Sequence, residues 1–159
     1  MPLNSIQLHA VNLVDNLPSP LYQRNVVAYI TPPNPGKLTG PAAYVWITQG
    51  TGSRQTAPRG LGFRKMRWTV NVWLMSPDNS QNPKADSAFA CLIDAVVQAF
   101  VTTPMPIPLV DNITGQKTQL LSIGEQFTIE QSPVHGLADQ RLFLYEALLQ
   151  FTVEEAITP

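Results

Sequence analysis

Charge is scarce in this chain. Only 13% of its 159 residues are Asp, Glu, Lys or Arg, about half of the roughly 25% usual in a soluble domain. An isolated domain normally covers itself with charge, so a surface this bare implies that partners cover much of it. Cysteine is nearly missing. Cys91 alone excludes an internal disulfide and a cysteine zinc cluster, and its place in an apolar helical run predicts a buried structural thiol. Histidine is limited to His9 and His135. No His, Cys or carboxylate cluster has ligand spacing, so neither a metal nor another cofactor is expected. No apolar run reaches the length of a membrane span. The opening MPLNSIQLHAVNLVDNLP has neither the cationic start nor the continuous apolar stretch of a signal peptide. The expected setting is reducing or intracellular, away from membranes.

What the chain does have is material for a core. Hydrophobic residues make up 44%, and the length suits one domain spanning 1–159. Residues 4–17 set Ile6, Ala10, Leu13, Val14 and Leu17 at helical spacing, with Asn4 or Ser5 as cap and Pro18 and Pro20 as stop. LYQRNVVAYI reads as a strand or a helical turn, the strand being favoured. TPPNPGKLTGP is a loop whose prolines forbid ladder or helix. AAYVWITQ, 42–49, is a strand by its branched and aromatic content. KMRWTVNVWLMS, 65–76, alternates, with Met66, Trp68, Val70, Val72 and Leu74 on one face and Lys65, Arg67, Thr69 and Asn71 on the other. The glycine-rich segment 50–63 between them reads as a long loop at the tip of a hairpin.

Asn82 and Pro83 suit a helix start. Ala85, Ala88, Phe89, Leu92, Ile93, Val96, Val97 and Phe100 then form a wide apolar stripe. Beyond the break TPMPIP, the stretches IPLVDN, QKTQLLSI and EQFTIEQS read as short strands, the first two joined by a turn at NITG. The run 140–156 reads as a long strand with Phe143, Tyr145, Ala147, Leu149, Phe151 and Val153 on one face, leaving the domain through Glu154 and Glu155. The predicted fold class is α+β: a mostly antiparallel sheet with an N-terminal helix and one long amphipathic helix packed on one face, and an extended loop between two strands. Trp68, Val70, Val72 and Leu74 should meet Phe89, Leu92, Val96 and Phe100.

Catalytic groups are thin. A Cys91–His135 nucleophile pair would need a thiol that the helical stripe buries. RGLGFR holds only the first half of a dinucleotide fingerprint and leads into a strand, so no helix N-terminus meets a phosphate. No enzymatic activity is expected. The distribution of charge is more informative. Residues 1–77 carry seven cations and one acid, Asp15; residues 78–159 carry three cations and ten acids. A folded body with one positive and one negative side can stack head to tail with copies of itself, unless folding interleaves the two sets. Five of the ten basic residues, Arg54, Arg59, Arg64, Lys65 and Arg67, lie in the window 54–67. With Phe63 and Trp68 they could serve nucleic acid, but the chain as a whole is slightly acidic, with a pI near 6.1, where a dedicated nucleic-acid domain is usually basic. An acidic protein surface is the favoured partner.

The order of segments resembles the tail terminator, or tail completion, proteins of long-tailed bacteriophages. The resemblance rests on an Arg-bearing strand of the form R-W-x-V-x-V-x-L, here Arg67, Trp68, Val70, Val72 and Leu74, before an apolar helix. A closing strand of the form Y-x-x-x-L-x-F-x-V follows, here Tyr145, Leu149, Phe151 and Val153. It implies a non-enzymatic virion subunit of the tail and neck, assembled in the host cytoplasm into a ring, typically a hexamer. The ring caps the tail tube protein, ends its polymerisation and joins the head connector or head-closure protein, with DNA at most passing through it. The proline loop 31–41 has no counterpart in that pattern. On this reading the cations of 54–67 reach a neighbouring subunit or ring and meet carboxylates such as Glu130, Glu146, Glu154 or Glu155. The alternatives are another phage neck protein, a head-closure or connector adaptor, and a nucleic-acid-binding module.

Overall fold

The computed structural model of the chain describes residues 2–17, 26–56, 62–78, 83–110, 115, 117–136 and 142–157, with backbone alone at 2–4, 49, 51–56, 62–64 and 83. Its elements in order are α1 (Pro2–Asp15), β1 (Val27–Tyr29), β2 (Ala42–Thr56), β3 (Gly62–Asp78), α2 (Pro83–Val101), β4 (Ile107–Val110), β5 (Lys117–Gln131), β6 (His135–Gly136) and β7 (Phe143–Ile157). The class is α+β: two helices on a mostly antiparallel, curled sheet. The sheet has seven strands in the order β1-β2-β3-β7-β5-β4, with β6 also on β7. Among the described residues only the β1–β2 pairing is parallel.

The last strand in sequence is central in space. β7 pairs with β3 along Arg64↔Ile157 to Asp78↔Phe143 and with β5 along Thr118↔Ile157 to Gln131↔Ala147. Its sequence suits the position, because apolar residues on both faces fit a strand covered on both faces. Tyr145, Ala147, Leu149, Phe151 and Val153 point into the main core; Leu144, on the opposite face, is also buried. The sequence-based exit through Glu154 and Glu155 is therefore corrected. Both residues lie within the ladder, and Ala156 and Ile157 beyond them are buried.

The main core lies on the inner face. Ala43 and Val45 of β2, Val70, Val72 and Leu74 of β3, and the inner residues of β7 meet Ile6, Ala10 and Val14 of α1 and Phe89, Leu92, Val96 and Phe100 of α2. Trp68 packs against this cluster while partly exposed, as expected from its alternation. Two members of the expected helical run fall outside the core. Ala88 and Cys91 are exposed, because at about 100° per residue each stands a step off the line that Ala85, Phe89, Leu92 and Val96 follow. Cys91 is thus not a buried structural thiol.

α1 sits between the two edges of the curl. Gln7 Nε2 donates to the Val45 carbonyl of β2 at 2.9 Å, and Ser5 Oγ donates to the Val110 carbonyl of β4 at 3.1 Å. Ser5 lies inside the helix and serves the sheet rather than a helix cap. The proline loop covers the outer face instead of running free. It forms a 3-10 turn, Pro35–Lys37, capped by Asn34 accepting from Gly36 N, and buries Leu38 against Ala42, Met75 and Leu144. A short 3-10 turn tolerates Pro at its start, where no donor is needed.

A glycine marks an irregularity in the β5 ladder. Gly124 takes φ 78° where the β5 register shifts between Ile123 and Phe127, so QKTQLLSI and EQFTIEQS are one bulged strand rather than two. Segment 50–63 is corrected as well: residues 50–56 and 62–63 are strand rather than loop. β2 and β3 stay paired out to Thr56↔Gly62, broken only by a bulge between Thr48 and Thr51. Pro18, Pro20, Asn82 and the NIT of the expected turn lie outside the described residues.

Candidate assembly interface

Beyond the bulge, residues 51–56 of β2 pair with 62–67 of β3, whose residues 64–67 are also paired with β7. We call this end of the β2–β3 ladder the arm. Arg54 stands opposite Arg64 in its register, and Ser53 opposite Lys65. Arg59 lies outside the described residues. Like charges directly across an antiparallel pair disfavour the pairing, so the arm holds two cations at a position that calls for an anion.

The expected carboxylates fall into different environments. Glu154 is engaged within its own chain. Arg67 donates to its Oε1 at 2.7 Å, and Lys65 Nζ lies 3.0 Å from its Oε2. Those bonds, Arg67's first, hold its carboxyl below the ordinary value. Both partners remain substantially open, with side-chain exposures of 61% for Arg67 and 35% for Lys65, so the pair contributes modestly to stability. Glu146 is engaged as well: Trp73 Nε1 donates to its Oε2 at 3.0 Å, and His135 Nε2 lies 3.3 Å from its Oε1. Glu155 is fully buried, accepting from Trp68 Nε1 at 3.3 Å and Thr118 Oγ1 at 3.2 Å. Of the four, only Glu130 is exposed on the surface. Lys65, Arg67, Glu146, Glu154 and Glu155 therefore organise one subunit. Arg54, Arg64 and Glu130 carry what the expectation of contacts between subunits retains.

The outer face also holds a polar row that alternation alone would place in solvent. Gln150 Nε2 donates to Asn71 Oδ1 at 2.9 Å, Asn71 Nδ2 donates to Thr48 Oγ1 at 3.3 Å, and Thr128 Oγ1 donates to Gln150 Oε1 at 3.3 Å. Four strands, β2, β3, β7 and β5, are joined by this row, and Asn71 is 1% exposed. The sequence signal for it is slight: polar residues in the middle of two strands otherwise rich in apolar ones.

Burial raises the Glu155 carboxyl above its usual range, against the pull of the Trp68 and Thr118 hydrogen bonds. A raised folded-state value means that the fold favours the neutral acid. The stability it contributes is complete below the unfolded value near 4.5 and is lost as pH rises through the folded one. At neutral pH the buried carboxylate is a cost. Glu155→Gln keeps the shape and an acceptor for Trp68. It should raise stability at pH 7 by on the order of 1 kcal/mol and flatten the decline between pH 4.5 and 7. Thermal melts of both proteins across that range test this; parallel curves would show that Glu155 does not titrate with folding.

Among the described residues no group of His, Cys, Asp or Glu could hold a metal ion, and no helix is long and apolar enough to cross a membrane. Cys91 lies on the exposed side of α2, and His135 is committed to Glu146. Comparison with protein-family models and with curated proteins finds no match to this chain.

Proposed function

We propose that this chain is a non-enzymatic structural subunit of a phage neck, of the tail-terminator kind. It assembles as a ring on the end of the tail tube, ends tube growth and offers a different surface to the head connector. The observation that carries this reading is the arm. A strand-paired extension sets Arg54 against Arg64, while Glu154, the carboxylate opposite Arg67, is already held by Lys65 and Arg67. Such an arm gains most from an acidic surface supplied by another molecule. The sparse charge elsewhere is in keeping with a subunit mostly covered by neighbours.

Arg64→Glu separates folding from docking. Within the chain it turns the like-charge pair with Arg54 into one of opposite charge, which favours the arm by about 0.2–1 kcal/mol. The variant should melt no lower than the parent, yet fail to form rings and fail to shorten tubes when co-expressed with the tube protein of its phage, both read by electron microscopy. Rings and capped tubes at parental levels would overturn the reading. Capping retained alongside a loss of salt-sensitive DNA binding would instead favour nucleic acid as the partner of the arm.

A further inference from the structure

His9 carries a buried ring nitrogen without a partner. Its Nε2 has no solvent contact and, among the described residues, no hydrogen-bond partner. A neutral imidazole tolerates this by keeping its hydrogen on Nδ1 and leaving Nε2 bare. A protonated ring cannot, because Nε2 then bears an N–H and a share of positive charge with no acceptor. The elements packed against α1 are β1, β2, β4 and α2, and their titratable groups offer none. β4 has no titratable residue. On α2, Lys84, Asp86, Cys91 and Asp94 are all exposed. On β1 and β2, Tyr29 and Tyr44 belong to the outer-face cluster, and Arg54 beyond the bulge is itself a cation. On α1, Asp15 already accepts from the Ala28 N–H at 2.9 Å.

We propose that α1 is an acid-released latch: protonating His9 frees this helix from between the two edges of the curl while the sheet stays folded. Three features make α1 the element that lets go. The helix has only 14 residues, with no acid in its first turn and no base in its last, so without its docking it is marginal. Its polar attachments are few: Gln7 to the Val45 carbonyl, Ser5 to the Val110 carbonyl and Asp15 to the Ala28 amide. α2 keeps its own hold on β7 through the ring pairs Phe89–Tyr145 and Phe100–Phe151, so the centre of the sheet does not hang on α1. Release bares the part of the inner face that Ile6, Ala10 and Val14 cover, and acid thus exposes an apolar surface that neutral pH hides.

The direction follows from the ring's surroundings. Burial holds the His9 imidazole below its ordinary 6.5, so the fold favours the neutral form. That stability is intact above the unfolded value and is lost as pH falls from there towards the folded one. Glu155 works the other way, its contribution growing as pH falls. Acid therefore shifts stability from α1 to the ladder of β3, β7 and β5 rather than lowering it evenly.

The latch stands apart from the neck reading and needs neither ring nor tube. Its test is hydrogen exchange of the full chain at about pH 7.5 and about pH 5, corrected for intrinsic rates. Amides of α1 should open more often at the lower pH, several-fold up to a ceiling of about thirtyfold set by an exposed imidazole titrating at 6.5. Amides of β7 at 147–153 should keep their protection. His9→Leu fills the place of the ring and takes no proton, so it should abolish the acid loss. His9→Gln, polar but uncharged, should do the same and serves where the leucine variant does not fold. Protection of α1 that stays flat across this range in the parent would overturn the latch. An acid loss that persists in the folded variants would overturn His9 as its trigger. A loss spread evenly over α1 and β7 would mean global unfolding and would overturn local release.

Discussion

Phe100→Ala should lower the unfolding free energy by about 3–5 kcal/mol, a large share of the roughly 5–15 kcal/mol typical of a domain. Phe100 is fully buried near the end of α2, and its ring lies parallel to that of Phe151, centroids 4.2 Å apart and planes 7° from each other. The pair joins α2 to the central strand, so truncation removes both buried area and an aromatic contact worth roughly 0.5–1.5 kcal/mol beyond area. Gly124 of the β5 bulge packs on the Phe100 backbone at ordinary contact distance, a Cβ there standing 3.5 Å from the Phe100 carbonyl carbon. The α2 end thus packs between the β5 bulge and β7. Urea unfolding followed by far-UV circular dichroism measures the change. A loss below about 1 kcal/mol would show that α2 ends outside the cooperative core.

The stripe containing Phe100 was legible because a 3.6-residue period survives any tertiary context that buries one side of a helix. The same holds for the period of two in β3 and β7, whose inner residues are those that alternation selects. What alternation does not carry is the number of strands on either side. Glu154 and Glu155 read as a solvated exit because acids usually are; the sheet instead extends past them, and Trp68 and Thr118 provide the donors that make a buried carboxylate tolerable. Asn71 read as solvent-facing for the same reason, and Thr48 and Gln150 take up its side chain. Within the candidate interface, the crowding of cations was plain in sequence. Whether they answer each other across a ladder or meet carboxylates of their own chain depends on register, a long-range property: Arg67 and Glu154 are 87 residues apart.

Gly50→Ala should be the most disruptive glycine-to-alanine change among the described residues, costing about 1–3 kcal/mol or unpairing the arm locally. At the β2 bulge two residues, Gln49 and Gly50, face the single residue Trp68 between the pairs Thr48↔Thr69 and Thr51↔Arg67. A Cβ on Gly50 would overlap the Arg67 carbonyl and come within 2.9 Å of the Trp68 Cα. Both obstacles are backbone, so no rotamer change relieves them, and the bulge must move or open. In sequence, Gly50 and its neighbours read as loop composition; in the fold this glycine is what lets the ladder bend and resume towards Arg54 and Arg64. Its loss should therefore uncouple arm from core. Amides at 51–56 should lose hydrogen-exchange protection while those of β3 at 64–75, which β7 also pairs, and of α2 keep it, and ring formation should fail with the arm. Gly136→Ala, where an added Cβ meets nothing within 4 Å, is the matched control. Equal protection in Gly50→Ala and Gly136→Ala would mean that the bulge yields freely, and the arm's position would then not depend on it. Protection lost in the arm with rings still forming would show that assembly does not use the arm, and would remove the physical basis for assigning Arg54 and Arg64 to a contact between subunits.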